Sequence, residues 1–144
     1  ATDFRFAAEG EYRLGVPEVT VGVLPGNGGT QRLPRLIGSP KAMELRMTGK
    51  PVDPKTAHAL GIVDRLLPAD RLLPEAIEFA ASLAKGPTMA IGEIKVAAKQ
   101  GAEMSLDGAL TLERGGIFRL FQTADAKEGM DAFAEKRKPT WTGK

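Results

Sequence analysis

Hydrophobic and polar residues alternate near the start of the chain. Phe4, Phe6 and Ala8 fall on one side of an extended backbone, and the alternation resumes at Tyr12 after the Glu9–Gly10 pair. A period of two is typical of half-buried strands, and the intervening glycine favours a turn. The pattern predicts a strand, a tight turn and a second short strand.

Glycine, proline and capping residues divide the next part of the chain into short helices. The run TQRLPRLIG predicts a short amphipathic helix. Ser39 then fits the cap of a second helix that stops at Gly49, and Asp53 fits the cap of a third helix that stops at Gly61. The run IVDRLL predicts a short strand after the third helix.

From Asp70 onward, apolar residues recur at helical spacing and predict four helices. Gly86–Pro87 separates the first from the second, the third spans 105–122, and the last starts near Thr123. Pro74 fits its helix only if it lies near the first turn. The side chains expected to face inward are Leu73, Ile77, Ala80, Ala84, Ile91, Ile94, Ala98, Leu106, Ala109, Leu110, Ile117, Phe118, Phe121, Met130 and Phe133.

The third of these helices contains the pair Gly115–Gly116. A glycine inside a helix costs about 1 kcal/mol relative to alanine. The pair therefore predicts either a kink or a close contact with another helix.

The stretch from Gly15 to Gly38 holds the only glycine-dense loop. Pro17 restricts the backbone just ahead of Glu18, which is therefore expected at a bend. Pro25 begins the run PGNGG, whose glycines allow a tight turn that brings bare N–H groups close to a bound group. A solvated glutamate in a first turn and an ordinary surface turn also fit these two motifs. The run is not a phosphate-binding Walker loop, because the Lys-Ser/Thr pair is missing.

The complete strings are more specific than their parts. PEVTVGVLPGNGGTQRL, MTGKPVDPKTAHALGIVDRLLP and EGMDAFAEKRKPTW together resemble the enoyl-CoA hydratase/isomerase (crotonase) family, and the likeness covers essentially the whole chain. The resemblance implies an α/β fold, here the C-terminal portion of a ClpP/crotonase-like fold that is mostly helical with a few short strands. Residues 1–67 would end the spiral core and carry the active-site loop. Residues 68–144 would form the helical region for trimerisation and coenzyme A cover.

The resemblance also implies roles for individual residues. Glu18 matches the second of two glutamates that share a water molecule in the hydratases, which is general acid–base chemistry. Pro17 and Gly26 belong to the same substrate-binding segment, the Gly26 N–H being placed to hold the water. Phe133 and Lys136 resemble positions that meet the coenzyme A moiety, with Lys136 suited to its phosphates.

The family's two oxyanion-hole segments and its first glutamate have no match in these residues. In the family they precede a run that Ala1-Thr2-Asp3 resembles. Loss of one oxyanion donor costs about 10²–10³ in turnover. We therefore expect a C-terminal part that is inactive by itself, with apolar patches exposed for self-association as a homotrimer or hexamer.

Three functions remain open. The leading one is enoyl-CoA hydratase, a lyase of fatty-acid β-oxidation or a related degradation. The first alternative is Δ3,Δ2-enoyl-CoA isomerase or another crotonase-family enzyme, since the isomerase can work with one glutamate at the position of Glu18. The other is a non-catalytic oligomerisation or CoA-binding module. In each case the partner is an acyl-CoA thioester, and no separate cofactor is expected because coenzyme A is part of the substrate.

The amino-acid composition argues against disulfide-bonded, membrane-spanning and metal-binding proteins. The chain is 42% hydrophobic and 26% charged with no cysteine, which excludes disulfides and fits a cytoplasmic protein. No apolar run approaches the roughly 18 residues of a bilayer span, so no membrane partner is expected. His58, the only histidine, has no partner for a metal site, so no metal is expected and the residue is interpreted as surface or packing.

Net charge is +2, and the basic excess lies at the end of the chain. Residues 135–144 hold four basic groups and one acid. We interpret this run as a solvated helix end whose cations complement the helix dipole. It lacks the interleaved aromatics of a nucleic-acid site, so no nucleic-acid partner is expected.

Overall fold

The computed structural model describes residues 2–144, so the expectation attached to Ala1 lies outside the described residues. These residues form two strands, seven α-helices and one 3₁₀ helix. In chain order they are β1 (Phe6–Ala8), the 3₁₀ helix (Pro17–Val21), α1 (Gly29–Ile37), α2 (Ser39–Thr48), α3 (Pro54–Ala59), β2 (Arg65–Leu67), α4 (Ala69–Ala84), α5 (Thr88–Gly101), α6 (Leu106–Leu120) and α7 (Ala124–Ala134). The chain divides into two compact units, with the boundary between Ala76 and Ile77.

The core of the first unit lies around a short parallel sheet. β1 pairs with β2 in parallel, with Ala7 opposite Leu66. Ala7, Ala57 and Val63 are buried there. The main chain and guanidinium of Arg5 both donate to Asp64, each over 2.6 Å, and fasten the entry to both strands.

The predicted second strand after the turn is only partly correct. Leu14 forms an isolated antiparallel bridge with Val52, with main-chain hydrogen bonds of 2.9 and 2.8 Å. The residues between Gly10 and Leu14 form no strand, because the partner of β1 lies far along the chain rather than across the turn.

Most of the predicted helix ends in the first unit are confirmed. Gly49 ends α2 with φ 63°, and the Asp53 carboxylate accepts from the Thr56 N–H at the start of α3. That N–H is the main cause of the lowered pKa of Asp53. The cap predicted at Ser39 is wrong: Gly38 holds the cap position with φ 84°, and Ser39 is already helical.

All the elements from Ala69 onward are helices, and their boundaries follow the predicted breaks. Ser105 and Thr123 cap α6 and α7 by accepting from main-chain N–H groups. Pro74 is the sixth residue of α4, so it lies in the second turn rather than the first. Its ring leaves the Asp70 carbonyl without the usual helical partner, and the helix nevertheless continues to Ala84.

The helix faces predicted to point inward are largely exposed. Along α4 to α7, the exposed members include Leu73, Ile77, Ile94, Leu106, Leu110, Ile117, Phe118, Phe121, Met130 and Phe133. Among residues 2–144 the buried hydrophobic residues are all small: Ala7, Ala42, Ala57, Val63 and Ala132. The periodicity identifies apolar faces correctly, but most of the large side chains on those faces remain exposed within residues 2–144.

Candidate active site and ligand-binding segment

Glu18 lies in the 3₁₀ helix, at the bend that Pro17 predicts. Pro17 is the first residue of this helix, where its missing N–H costs nothing. Gly22 closes the helix in a left-handed conformation, φ 77°, and its N–H donates to the Val19 carbonyl over 3.0 Å. The Val23 N–H donates to the Glu18 carbonyl over 3.2 Å. The backbone on both sides of Glu18 is therefore fixed by local hydrogen bonds.

Gly49 supports this helix from beneath. It is buried and has φ 63°, and a Cβ added there would lie 2.9 Å from Thr20 Cγ2 and 3.0 Å from Val19 Cγ1. The Cα of Pro17 would be 3.6 Å away. Only glycine fits both the left-handed backbone and the gap. The end of α2 therefore packs directly against the 3₁₀ helix that carries Glu18 and fixes its distance from α2.

The Glu18 side chain has one oxygen that is both buried and unpaired. Oε2 is buried, yet it has no hydrogen-bond partner among the residues that the structure describes. A buried acceptor left unpaired costs about 1–3 kcal/mol, so such atoms are rare unless a ligand or water completes them. The arrangement suits a carboxylate that accepts a proton from, or donates one to, a bound molecule.

The glycine loop turns tightly before α1. Pro25 is buried, and a Cβ on Gly29 would lie 2.7 Å from the Pro25 Cβ, so this contact requires glycine. Gly26, by contrast, is exposed, and a Cβ added there would meet only the Leu24 carbonyl oxygen, at 4.0 Å. Within residues 2–144 the Gly26 N–H donates to no main-chain carbonyl of the loop. An N–H without a main-chain acceptor is what a water-holding donor needs.

A cavity of about 370 Å³, lined mostly by apolar residues together with Arg13, lies in the same unit. Its walls include Leu14 and Val16 from the segment before Pro17, Leu33 of α1 and Leu45 of α2. The cavity therefore adjoins the segment that leads directly into Glu18.

Phe133 and Lys136 lie in the second unit, at the end of α7. The Phe133 side chain is 86% exposed, so the expectation that it packs in the core is wrong, whereas exposure suits the ligand contact that the resemblance implies. Lys136 has φ 55°, and it is the one non-glycine residue among those described with a left-handed backbone. The Arg137 N–H donates to the Ala132 carbonyl over 3.0 Å, and the Lys136 N–H to the Phe133 carbonyl over 3.3 Å. These two bonds define a Schellman turn with lysine in the usual place of glycine.

The basic tail is held against α7 rather than free in solvent. Arg137 donates from both terminal nitrogens to Glu128, over 2.6 and 2.9 Å, and the Thr140 N–H donates to the same carboxylate over 2.8 Å. The Arg137 side chain is the main cause that lowers the pKa of Glu128 to about 2, and Glu128 in turn raises the pKa of Arg137. The interpretation of the tail as a solvated helix end is therefore wrong for Arg137.

A second carboxylate holds the last residues. Asp125 is buried and accepts from the Thr142 N–H over 2.7 Å, the Thr142 hydroxyl over 2.9 Å and the Gly143 N–H over 2.9 Å. The Thr142 N–H is the main cause of its lowered pKa. Trp141 packs over Gly129, where an added Cβ would lie 3.1 Å from the indole ring.

Sequence reasoning missed the roles of Asp125 and Glu128. Two acids one turn apart on a helix, followed nine and more residues later by a short basic and aromatic run, are a weak signal for a tail that folds back. His58 matches its interpretation as a surface or packing residue: it is exposed, and its Nδ1 lies 3.0 Å from the Val63 carbonyl oxygen. The described residues contain no cluster of three or more acids and histidines that could hold a metal ion. No described helix is long and apolar enough to cross a bilayer.

Comparison with known proteins finds one matching family and several similar proteins. The family model described as enoyl-CoA hydratase/isomerase matches residues 1–144. An enoyl-CoA isomerase/hydratase of Mycosarcoma maydis is 40% identical over all of this chain and 53% of its own length. A crotonyl-CoA hydratase of Syntrophomonas wolfei is 39% identical, over 99% of this chain and 54% of its own length.

Solved structures agree with the sequence comparisons. The crystal structure of an enoyl-CoA hydratase from Bacillus anthracis superposes with a TM-score of 0.93 at 39% identity, covering 99% of this chain and 55% of that one. The chain thus spans about half the length of the relatives it matches, and over that half its fold is theirs.

Proposed function

The chain belongs to the enoyl-CoA hydratase/isomerase family, and on that premise we propose that the protein is an enoyl-CoA hydratase. The reaction is the addition of water across the C2=C3 bond of a 2-enoyl-CoA. The observation that carries the proposal is the buried, unpartnered Oε2 of Glu18. A carboxylate whose oxygen is shielded from bulk water and free of protein donors is ready to take a proton from a bound water molecule.

Other features of the two units support the same chemistry. The Gly26 N–H, which has no main-chain acceptor among the described residues, supplies a donor that holds the water, and the mostly apolar walls of the cavity beside Val16 suit an acyl group. At the end of α7, Phe133 and Lys136 supply an exposed aromatic face and a cation, which suit the adenine and phosphates of coenzyme A. The proposed reaction needs no separate cofactor or metal.

The test of Glu18 is its replacement by glutamine. Glu18→Gln keeps the size of the side chain and removes its ability to exchange a proton, so the rate of crotonyl-CoA hydration should fall by about 10²–10⁴. The measurement is the loss of the conjugated enoyl-thioester absorbance, made on the protein as its gene encodes it. Glu44→Gln, an exposed glutamate on α2, is the matched control and should retain full activity. Near-normal turnover of Glu18→Gln would remove Glu18 from the mechanism.

The 144 residues alone should behave differently. No segment among them matches the family's donors to the thioester oxygen, and loss of even one such donor costs about 10²–10³ in turnover. We therefore expect the isolated 144-residue chain to leave crotonyl-CoA unchanged. Rapid loss of the enoyl absorbance with this chain would show that the reaction does not need the donors that these residues lack.

Isomerisation is the second candidate, and one observation favours it. Glu18 is the one acid with a buried unpartnered oxygen among the described residues, and moving a proton between C2 and C4 needs a single carboxylate. A 3-enoyl-CoA supplied as substrate distinguishes the two activities. The isomerase generates enoyl absorbance from it, whereas the hydratase does not. If neither substrate reacts and calorimetry shows that coenzyme A binds, the non-catalytic binding module becomes the better assignment.

A further inference from the structure

The turn at Lys136 is shaped by residues that the proposed reaction does not otherwise use. A lysine rarely adopts φ 55°, and no glycine is present here to relieve the backbone. The two Schellman hydrogen bonds close the turn from the helix side. The segment after the turn must therefore help to hold the chain in this conformation.

Glu128 supplies that hold. Its carboxylate receives the forked guanidinium of Arg137 and the main-chain N–H of Thr140, so one side chain ties both ends of the segment 137–140. A forked pair of this kind fixes direction as well as distance. The Arg137 Nε also donates to Glu135 over 2.5 Å, which leaves the guanidinium little freedom to rotate.

The three consecutive cations at positions 136–138 differ in whether they form an ion pair. Arg137 is partly exposed but is paired with Glu128 on α7, whereas Lys136 and Lys138 on either side of it are exposed and lie outside that pair. Within residues 2–144 neither lysine makes an ion pair. Phe133, one turn earlier on α7, is also exposed. The exposed residues at and just after the end of α7 therefore include one aromatic ring and two unpaired ammonium groups.

We propose that Glu128 is a positioning residue for ligand binding: by holding Arg137 and Thr140 it fixes the turn from which Lys136 points its ammonium group at the phosphates of the acyl-CoA. The proposal rests on the proposed function, since it concerns the same ligand. Glu128 itself carries the same charge sign as phosphate and is engaged with Arg137, so it acts through Lys136 and not by contact.

A double-mutant cycle tests the proposal. The four proteins are the wild type, Glu128→Gln, Lys136→Ala and the double variant, and calorimetry measures the dissociation constant of coenzyme A for each. Loss of one charge-assisted contact should weaken binding about tenfold in Lys136→Ala. Glu128→Gln should weaken it about threefold to tenfold. In the Lys136→Ala background, Glu128→Gln should change the constant by less than about twofold, because the group it positions is gone.

The controls separate positioning from general damage. Glu75→Gln removes another glutamate–arginine pair, with Arg71 on α4, and should bind coenzyme A as the wild type does. The emission of Trp141, the only tryptophan, reports whether the tail leaves α7. If Glu128→Gln lacks the wild-type circular dichroism, Arg137→Lys replaces it in the cycle, since lysine keeps the charge but cannot fork.

The outcomes distinguish the two proposals. No affinity of the wild type for coenzyme A overturns the proposed function and the positioning role together. Wild-type affinity that Glu128→Gln leaves unchanged, or losses that add in the double variant, overturns the positioning role alone. Coupling between the two positions supports it.

Discussion

At the scale of single residues, the position of Glu18 depends on a glycine that carries no chemistry. The sequence predicts Gly49 only as the end of α2, and it does end that helix. Its second role, the contact with Val19 and Thr20 of the 3₁₀ helix, is a long-range contact that local sequence signals do not encode. A requirement for glycine therefore has two sources here, the left-handed backbone and the narrow gap.

Replacement of Gly49 by alanine separates these two sources. Gly49→Ala should reduce the free energy of unfolding by about 2–4 kcal/mol, because backbone strain and overpacking add. Gly61→Ala is the matched control: φ is 80° and nothing lies within 4 Å, so it should lose only about 1–2 kcal/mol. Urea denaturation of both variants measures the difference. Equal losses would show that the gap under the 3₁₀ helix is not tight.

The residues of the candidate site are easier to predict from the sequence than their surroundings. The PE and PGNGG motifs point to Glu18 and Gly26 as candidates, and the bend at Glu18 follows from Pro17. The isolation of the Glu18 Oε2 atom could not be predicted, because it depends on which groups the whole fold leaves out of reach. The same holds for the turn at Lys136, where the sequence shows a lysine and the backbone adopts a glycine conformation.

At the scale of elements, α5 and α6 approach each other at small residues. Gly116 is buried, and a Cβ there would lie 3.0 Å from Glu93 Oε2. A Cβ on Gly101 would lie 3.3 Å from the Ala109 Cβ, and the Arg119 guanidinium donates twice to Glu93, over 2.8 and 2.7 Å. The close contact predicted from the Gly115–Gly116 pair is therefore confirmed.

Two glycine-to-alanine changes test this contact. Gly92, inside α5, has nothing within 4 Å of an added Cβ, so Gly92→Ala should raise the free energy of unfolding by about 0.5–1 kcal/mol through helix propensity. Gly116→Ala gains the same propensity but pushes the Glu93 carboxylate away from Arg119, so its gain should be smaller or absent. Thermal unfolding of the two variants gives the comparison. The same gain in both would mean that the helices separate freely at Gly116.

The attachment of the tail to α7 should weaken as the pH falls. Both carboxyls that hold it have lowered pKa values, Glu128 at about 2 against an ordinary 4.5. A carboxyl with a lowered pKa stabilises the folded form fully above its ordinary value and loses that contribution as pH falls toward the folded value. Trp141 emission should therefore be constant above pH 4.5 and change between about 4.5 and 2.

The control for this titration removes one of the two carboxyls. In Asp125→Asn the change should begin from an already weakened tail, so its midpoint moves to higher pH. An emission that stays constant down to pH 2 in the wild type would show that these carboxyls do not hold the tail.

At the scale of the whole molecule, the large hydrophobic residues are mostly outside. Leu106 is 73% exposed, Phe118 71% and Leu73 67%, whereas the buried hydrophobic residues are alanines and one valine. The helix periods could be predicted because they depend on local spacing, but what covers each apolar face depends on surfaces that the period does not specify. A surface with so many exposed apolar side chains is typical of an interface.

Self-association is the expected consequence. The 144-residue chain should sediment as oligomers at micromolar concentration, and Phe118→Glu should shift the distribution toward the monomer by placing a charge on an apolar face. Lys99→Glu, a change of charge at an exposed polar position of α5, is the control and should leave the distribution closer to wild type. A strictly monomeric wild type at all concentrations would contradict the expectation.

The pairing of β1 with β2 also bears on the order of folding. Phe6 lies opposite Arg65, so the two paired strands are far apart along the chain. Glu18 and the glycine loop lie between them in the sequence. Bringing such distant segments together costs chain entropy before any strand contact is gained, whereas helices form locally within about a microsecond. The carboxylate proposed for catalysis should thus reach its final surroundings late, after α5, α6 and α7 are already formed.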